Sequence, residues 1–203
     1  CTLDGARLPQ TFGPAWLADC RLARLDAAHA TWQQVQAQRC ELPGAHFAGA
    51  RFTQCAFSEC ALPAADFSGV QAPGLSCWRA RLAGATFARA GLAGAIFDEA
   101  VLQGANFTAA VLAMARLAGA DAAGASFVGA RLEYAEASHL VATAADFTQA
   151  SVAGMNAHAA QFDAATWQQC DRSQMRGDDP VLLAAERWQP DPRWHPRAAG
   201  AGA

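Results

Sequence analysis

The stretch FTAAVLAMARLAGADAAGASF, Phe107 to Phe127, decides the fold. Its Ala, Leu and Met residues have high intrinsic helix propensity, and only their spacing says otherwise. From Ala15 onward every fifth residue through Cys170 is small or apolar: Ala at 21 of 32 positions, and otherwise Cys, Val, Leu or Met. A second apolar series runs two residues ahead, from Leu17, Leu22, Leu42 and Phe47 to Phe162 and Trp167, and holds ten of the eleven Phe. Neither series contains a charged or polar residue. In an α-helix, residues five apart diverge by about 140° and share no face. In a strand, an odd period sends successive key residues to opposite sides. A chain that turns a corner every five residues and coils around its own interior keeps both series inside.

The repeating unit is legible in Ala65-Asp66-Phe67-Ser68-Gly69, Ala105-Asn106-Phe107-Thr108-Ala109 and Ala145-Asp146-Phe147-Thr148-Gln149. It resembles the pentapeptide-repeat family, and the register runs through roughly three quarters of the chain without a slip. The resemblance implies an all-β fold, a right-handed quadrilateral parallel β-helix with four pentapeptides per coil. A second periodicity supports four sides: Phe47, Phe67, Phe87, Phe107, Phe127 and Phe147 recur every twenty residues and end at Trp167, beside a column of Leu22, Leu42, Leu62, Leu82 and Leu102. Coils stacked about 4.8 Å apart give a solenoid of about eight coils and on the order of 38 Å.

The interior compensates its volumes, as close packing requires. Leu25 accompanies Ala27, Val35 accompanies Ala37, Leu75 accompanies Cys77 and Met155 accompanies Ala157. Ala120 with Ala122 and Ala135 with Ala137 break this rule, so looser packing is expected there.

Three segments follow. Residues 1–14 hold partial repeats and a register-resetting loop: Leu8 and Leu17 are nine apart rather than ten, with Pro9-Gln10-Thr11-Phe12-Gly13-Pro14 across the slip. Residues 15–172 are the β-helix. Residues 173–203 form a tail, in which Asp178-Asp179-Pro180 starts a short amphipathic helix near 180–188 that is expected to cover the last coil. The remainder, QPDPRWHPRAAGAGA, reads as a linker or disordered end.

A formal charge of −3, with Arg supplying all 15 basic residues, gives no polyanion-binding character, so direct nucleic-acid binding is not expected. No apolar run is long enough for a membrane span. The seven Cys all occupy inward slots once Cys1-Thr2-Leu3 is counted as a repeat. Cys20, Cys40 and Cys60 would stack with parallel Cβ vectors, poor disulfide geometry, so buried free thiols and a reducing, cytoplasmic setting are expected. The Cys1 start reads as a piece cut from a longer polypeptide, with a lipid-modified cysteine as the minor alternative.

No catalytic, cofactor or metal site emerges. The five His, at 29, 46, 139, 158 and 195, occupy outward slots or the tail, and none has a Cys partner at ligand spacing. Glycines such as Gly84 and Gly94 mark corners rather than a phosphate loop. Asp19, Arg39, Glu59, Arg79 and Glu99 recur every twenty residues with alternating sign, which predicts a structural ladder of ion pairs. Asp26, Asp66, Asn106 and Asp146 share another column with His46, Thr86 and Ser126 between them.

Large outward apolar residues point to protein contacts. Trp16, Trp78 and Ile96 are the candidate partner face; Val111, Met114 and Tyr134 lie near another. The expected function is a non-enzymatic protein-interaction or scaffold module of a larger bacterial protein, its segments being similar to repeats appended to type VI secretion accessory proteins. The family resemblance implies an alternative, since some members mimic duplex DNA and inhibit or protect type II topoisomerases, usually as end-to-end dimers. Three carboxylates in the seven-residue column, with Arg21, Arg51, Arg81, Arg116 and Arg131 on others, make a sparse mimic. The partner is unnamed by the sequence, and monomer and end-to-end dimer both stay open.

Overall fold

In the computed structural model, which describes residues 1, 2, 4 and 8–188, the chain winds as a right-handed β-helix whose successive coils pair in parallel. The tail reading for residues beyond 188 lies outside the described residues. Three short strands, β1 (Thr11–Phe12), β3 (Thr31–Gln33) and β5 (Arg51–Thr53), form one sheet. The strands β2 (Ala15–Ala18), β4 (Val35–Gln38) and β6 (Ala56–Ser58) form a second. Beyond them the sides shorten to single parallel bridges, such as Val101↔Asp121 and Asn106↔Ser126. The pairing offset is twenty throughout the regular part, as in Trp32↔Phe52. At the start it is nineteen, Thr2↔Arg21, on the far side of the Pro9–Pro14 segment.

Each side ends in a tight turn. Leu82, Ala83, Gly84 and Ala85 show the pattern: the Ala85 N–H donates to the Leu82 carbonyl at 3.0 Å, and Gly84 at the third position has φ +65°. The Gly84 N–H, left free by the turn, donates to Gln103 O of the next coil at 2.9 Å. The same conformation is held by many non-Gly residues, among them Asp19, Arg39, Glu59, Arg79 and Glu99 with φ between +50° and +57°. The corner therefore needs a left-handed residue every fifth position, and coil-to-coil backbone bonds supply what Gly would give free.

Both inward series are buried without a gap from Cys20 to Ala157. The phenyl rings of Phe67, Phe87, Phe107, Phe127 and Phe147 stack with centroids 4.8 to 5.1 Å apart and planes within 8° of parallel. Trp167 closes the column on Phe147 at 4.3 Å. Around Trp32, Phe47, Phe52 and Phe57 the rings meet edge-on instead, because aromatic residues there crowd neighbouring sides of the coil as well as stacking along one side, as Trp32 does on Phe52. The four alanines Ala120, Ala122, Ala135 and Ala137 are fully buried.

The helix α1 (Pro180–Glu186) starts at Asp179, whose carboxylate accepts from Val181 N and Leu182 N. The expected apolar cover is not what it provides. No residue of α1 is buried, Val181 is 78% exposed, and Phe162 and Trp167 at the end of the core stay half-buried. The chain after Cys170 makes a further partial coil, so α1 reaches the rod's flank and docks through polar contacts.

Candidate functional site

Because the two apolar series consume the interior, side chains that carry chemistry project from the rod's sides and corners. Their vertical order follows the twenty-residue offset, so residues far apart in sequence become neighbours.

The alternating column forms pairs rather than a continuous ladder. Arg39 donates from Nε and a terminal nitrogen to the two Asp19 carboxylate oxygens at 2.8 and 2.9 Å, which holds that carboxyl below its ordinary range. Arg79 pairs with Glu99 at 2.7 Å. Glu59, between them, accepts from Gln38 instead. A planar guanidinium engaged on one neighbour's carboxylate has no fork left for the neighbour on its other side. The guanidinium of Arg79 also lies 4.5 Å from the Trp78 ring.

The carboxylate column is occupied locally. Asp66 and Asp146 each accept from the backbone N–H two residues on, Ser68 and Thr148, at 2.9 Å, and Asn106 does the same for Thr108. Asp66 also pairs with His46 Nδ1 at 3.0 Å. These Asx turns explain why Asp and Asn recur immediately before the inward Phe.

Of the candidate partner face, Trp16 and Ile96 stand in one bridge column, through Gln36, Ala56 and Ser76, and so are four coils apart. Trp16 is 69% exposed, whereas Ile96 and Trp78 are half-buried. Trp78 and Ile96 belong to adjacent coils; Trp16 is not brought to them. Met114 and Tyr134 are assembled more closely. They hold the same corner of successive coils, φ +58° and +59°, and are 64% and 71% exposed. The next corner residue is Gly154, over which the Tyr134 ring lies so closely that a Cβ there would meet it at 2.6 Å.

One cluster was not expected from sequence. His139, His158 and Glu186 bring three potential ligand atoms within 4.8 Å of one another. His139 Nε2 is 3.1 Å and His158 Nε2 3.4 Å from Glu186 Oε1. The twenty-residue offset places 139 and 158 at neighbouring slots of stacked coils, but nothing in the sequence shows where α1 delivers Glu186. The hydrogen bonding of His158 argues against a metal. Its Nδ1 accepts from the Asp179 N–H at 3.1 Å, so the neutral ring carries its proton on Nε2. A metal at Nε2 would require an imidazolate. The buried ring instead fixes the start of α1 through Nδ1 and faces its end through Nε2, while Asp178 accepts from Ala159 N at 2.8 Å.

The seven cysteines are all free: Cys1 is exposed, Cys170 half-buried and the rest buried. Burial pushes the Cys60 thiol up to about 12 and the Cys77 thiol higher still. Among the described residues no helix is long and apolar enough to cross a membrane.

The sequence matches the Pentapeptide repeats family in eight copies, over residues 33–69, 76–113 and 110–149. No curated protein matches it significantly. Among solved structures it is similar to full-length QnrB1, a plasmid-mediated fluoroquinolone resistance protein, with TM-score 0.63 and 20% identity over 92% of this chain and 96% of that one. A trypsin-treated form of QnrB1 aligns with TM-score 0.60 and 18% identity over 91% and 93%. HetL, a pentapeptide repeat protein involved in heterocyst differentiation regulation from the cyanobacterium Nostoc sp. strain PCC 7120, aligns with TM-score 0.44 and 21% identity over 86% and 84%.

Proposed function

The chain belongs to the pentapeptide-repeat family, and from that premise we propose that it is a non-enzymatic rod that binds a protein partner through its outward side chains. One observation carries this reading: Met114 and Tyr134, both large, apolar and mostly exposed, occupy successive positions of a single corner. A rigid solenoid pre-orders such side chains, so little entropy is lost when a partner covers them, and exposed aromatic anchors are the residues that dominate protein interfaces. The Trp16, Trp78 and Ile96 face remains part of the proposal as a second, more dispersed contact. The cytoplasmic, reducing setting expected from the unpaired thiols belongs to the same reading. No feature described above bears on a type VI secretion role.

The test is copurification from the native source with the wild type, Tyr134→Ser with Met114→Ser, and Trp78→Ala with Ile96→Ala. Loss of one defined partner from the Tyr134 and Met114 variant alone supports the corner. Retention of that partner by both variants, each folded by circular dichroism, overturns the reading.

A second reading, action on a type II topoisomerase, is supported by the near end-to-end fold likeness to QnrB1 and by the family's DNA-mimicking members. Against it stand the local use of the carboxylates in Asx turns and their pairing with His46 and Arg residues. Addition of the purified chain to a gyrase supercoiling assay, with and without a fluoroquinolone, decides it. Inhibition or restoration of supercoiling at stoichiometric concentration supports the reading, and no change in either arm ends it.

A further inference from the structure

The Sγ atoms of Cys1 and Cys20 lie 2.7 Å apart, closer than two unbonded sulfurs rest in contact, although both are free thiols. Their backbones are fixed in this relation. The Arg21 N–H donates to Cys1 O at 2.8 Å, and Thr2 bridges Arg21 in parallel, so Cys1 and Cys20 occupy stacked positions of neighbouring coils. The same bond recurs from Glu41 N to Cys20 O and from Ala61 N to Cys40 O, so Cys1 continues the column of Cys20, Cys40 and Cys60, and at this rung the two Sγ atoms meet. The pair opens on a surface depression lined by Thr2, Asp19, Arg21, Arg39 and Glu41. Cys1 is exposed there and Cys20 is buried behind it.

We propose that Cys1 and Cys20 are a thiol–disulfide exchange site, at which a small-molecule disulfide converts the pair to an intramolecular disulfide. The Cys1 thiolate attacks one sulfur of the small disulfide, forming a mixed disulfide and expelling the first small thiolate. The Cys20 thiolate then attacks Cys1 Sγ, forming the Cys1–Cys20 bond and expelling the second. The protein gives up two electrons and two protons; the small disulfide takes both and leaves as two thiols. The bond closes the loop from residue 1 to residue 20, which carries β1 and the Pro9–Pro14 segment, and pins the first coil onto the next.

The experiment treats the full chain with oxidised glutathione, quenches in acid, alkylates in denaturant and maps tryptic peptides. Cleavage after Arg7, Arg21 and Arg39 places Cys1, Cys20 and Cys40 on separate peptides. The expected product is a Cys1–Cys20 linked pair, lighter by two hydrogens, with slower amide exchange at Arg21. Cys20→Ser stops at glutathionylated Cys1, and Cys1→Ser leaves Cys20 unmodified. Wild type that stops at the mixed disulfide, a Cys20–Cys40 link, or a Cys1 sulfur already acylated in protein from its source each overturns the proposal. If Cys20→Ser does not fold, the Cys1→Ser surface variant decides by the same map.

Discussion

At the scale of single residues the fold rests on two demands that repeat every five positions, an apolar side chain inside and a left-handed backbone outside. Gly84 meets the second without strain, and a Cβ added there would touch nothing within 4 Å. Gly84→Ala therefore isolates the dihedral cost and should lower stability by about 1 kcal/mol, read as a lower denaturant midpoint. An unchanged midpoint would mean that coil stacking, rather than the residue, sets the corner. The inside demand is sterner. Phe107 has no exposed surface and is stacked between Phe87 and Phe127. Phe107→Asp places an unpaired charge in that stack and should abolish the cooperative melt of the coils around it; a wild-type melting curve would refute the inward assignment.

At the scale of elements, the coil was legible in the sequence and the contacts of α1 were not. The period of five with its superimposed twenty fixes which residues are inside and which stack, because the backbone itself enforces the offset. Asp179 and Pro180 likewise announce the start of α1 through cap chemistry. Where the helix lands depends on His158 and Glu186, two polar residues with no periodic partner, so no pattern recorded it. The alternating-charge column shows the same limit: the spacing placed Glu59 between two arginines, but side-chain geometry assigned it to Gln38. The clasp is testable directly. His158→Ala removes the acceptor for the Asp179 N–H and the ring facing Glu186. Amide exchange at 181–186 should then accelerate by roughly two- to tenfold, since a lost hydrogen bond is worth about 0.5–1.5 kcal/mol, while exchange at Phe107 and Phe127 stays as in wild type. Uniform acceleration along the rod would show that His158 supports the solenoid and not the helix.

At the scale of the whole molecule, both inward series are apolar and the pH response comes from the outward carboxylates. The Arg39 hydrogen bond holds Asp19 below its ordinary range. Burial by itself pushes Asp66 and Glu136 up, but Ser68 and His46 in one case, and Asn156 and Ser138 in the other, outweigh it and lower both. The folded rod thus binds fewer protons than the unfolded chain as pH falls through the range near about 4 where free carboxyls titrate. Stabilisation from these groups is fully present above that range and is lost progressively as pH falls through their lower folded values. The melting temperature should be level between about pH 7 and 5 and fall by several degrees toward about pH 3. Salt at neutral pH should weaken the Arg39–Asp19 and Arg79–Glu99 pairs, which are exposed, and leave the Phe ladder untouched. A rod whose melting temperature ignores acid but drops in Phe107→Asp would draw its stability from stacking alone, making the surface columns free to vary and so available for recognition; a marked acid loss would instead mean that the same side chains hold neighbouring coils together, and that any partner must bind without breaking them.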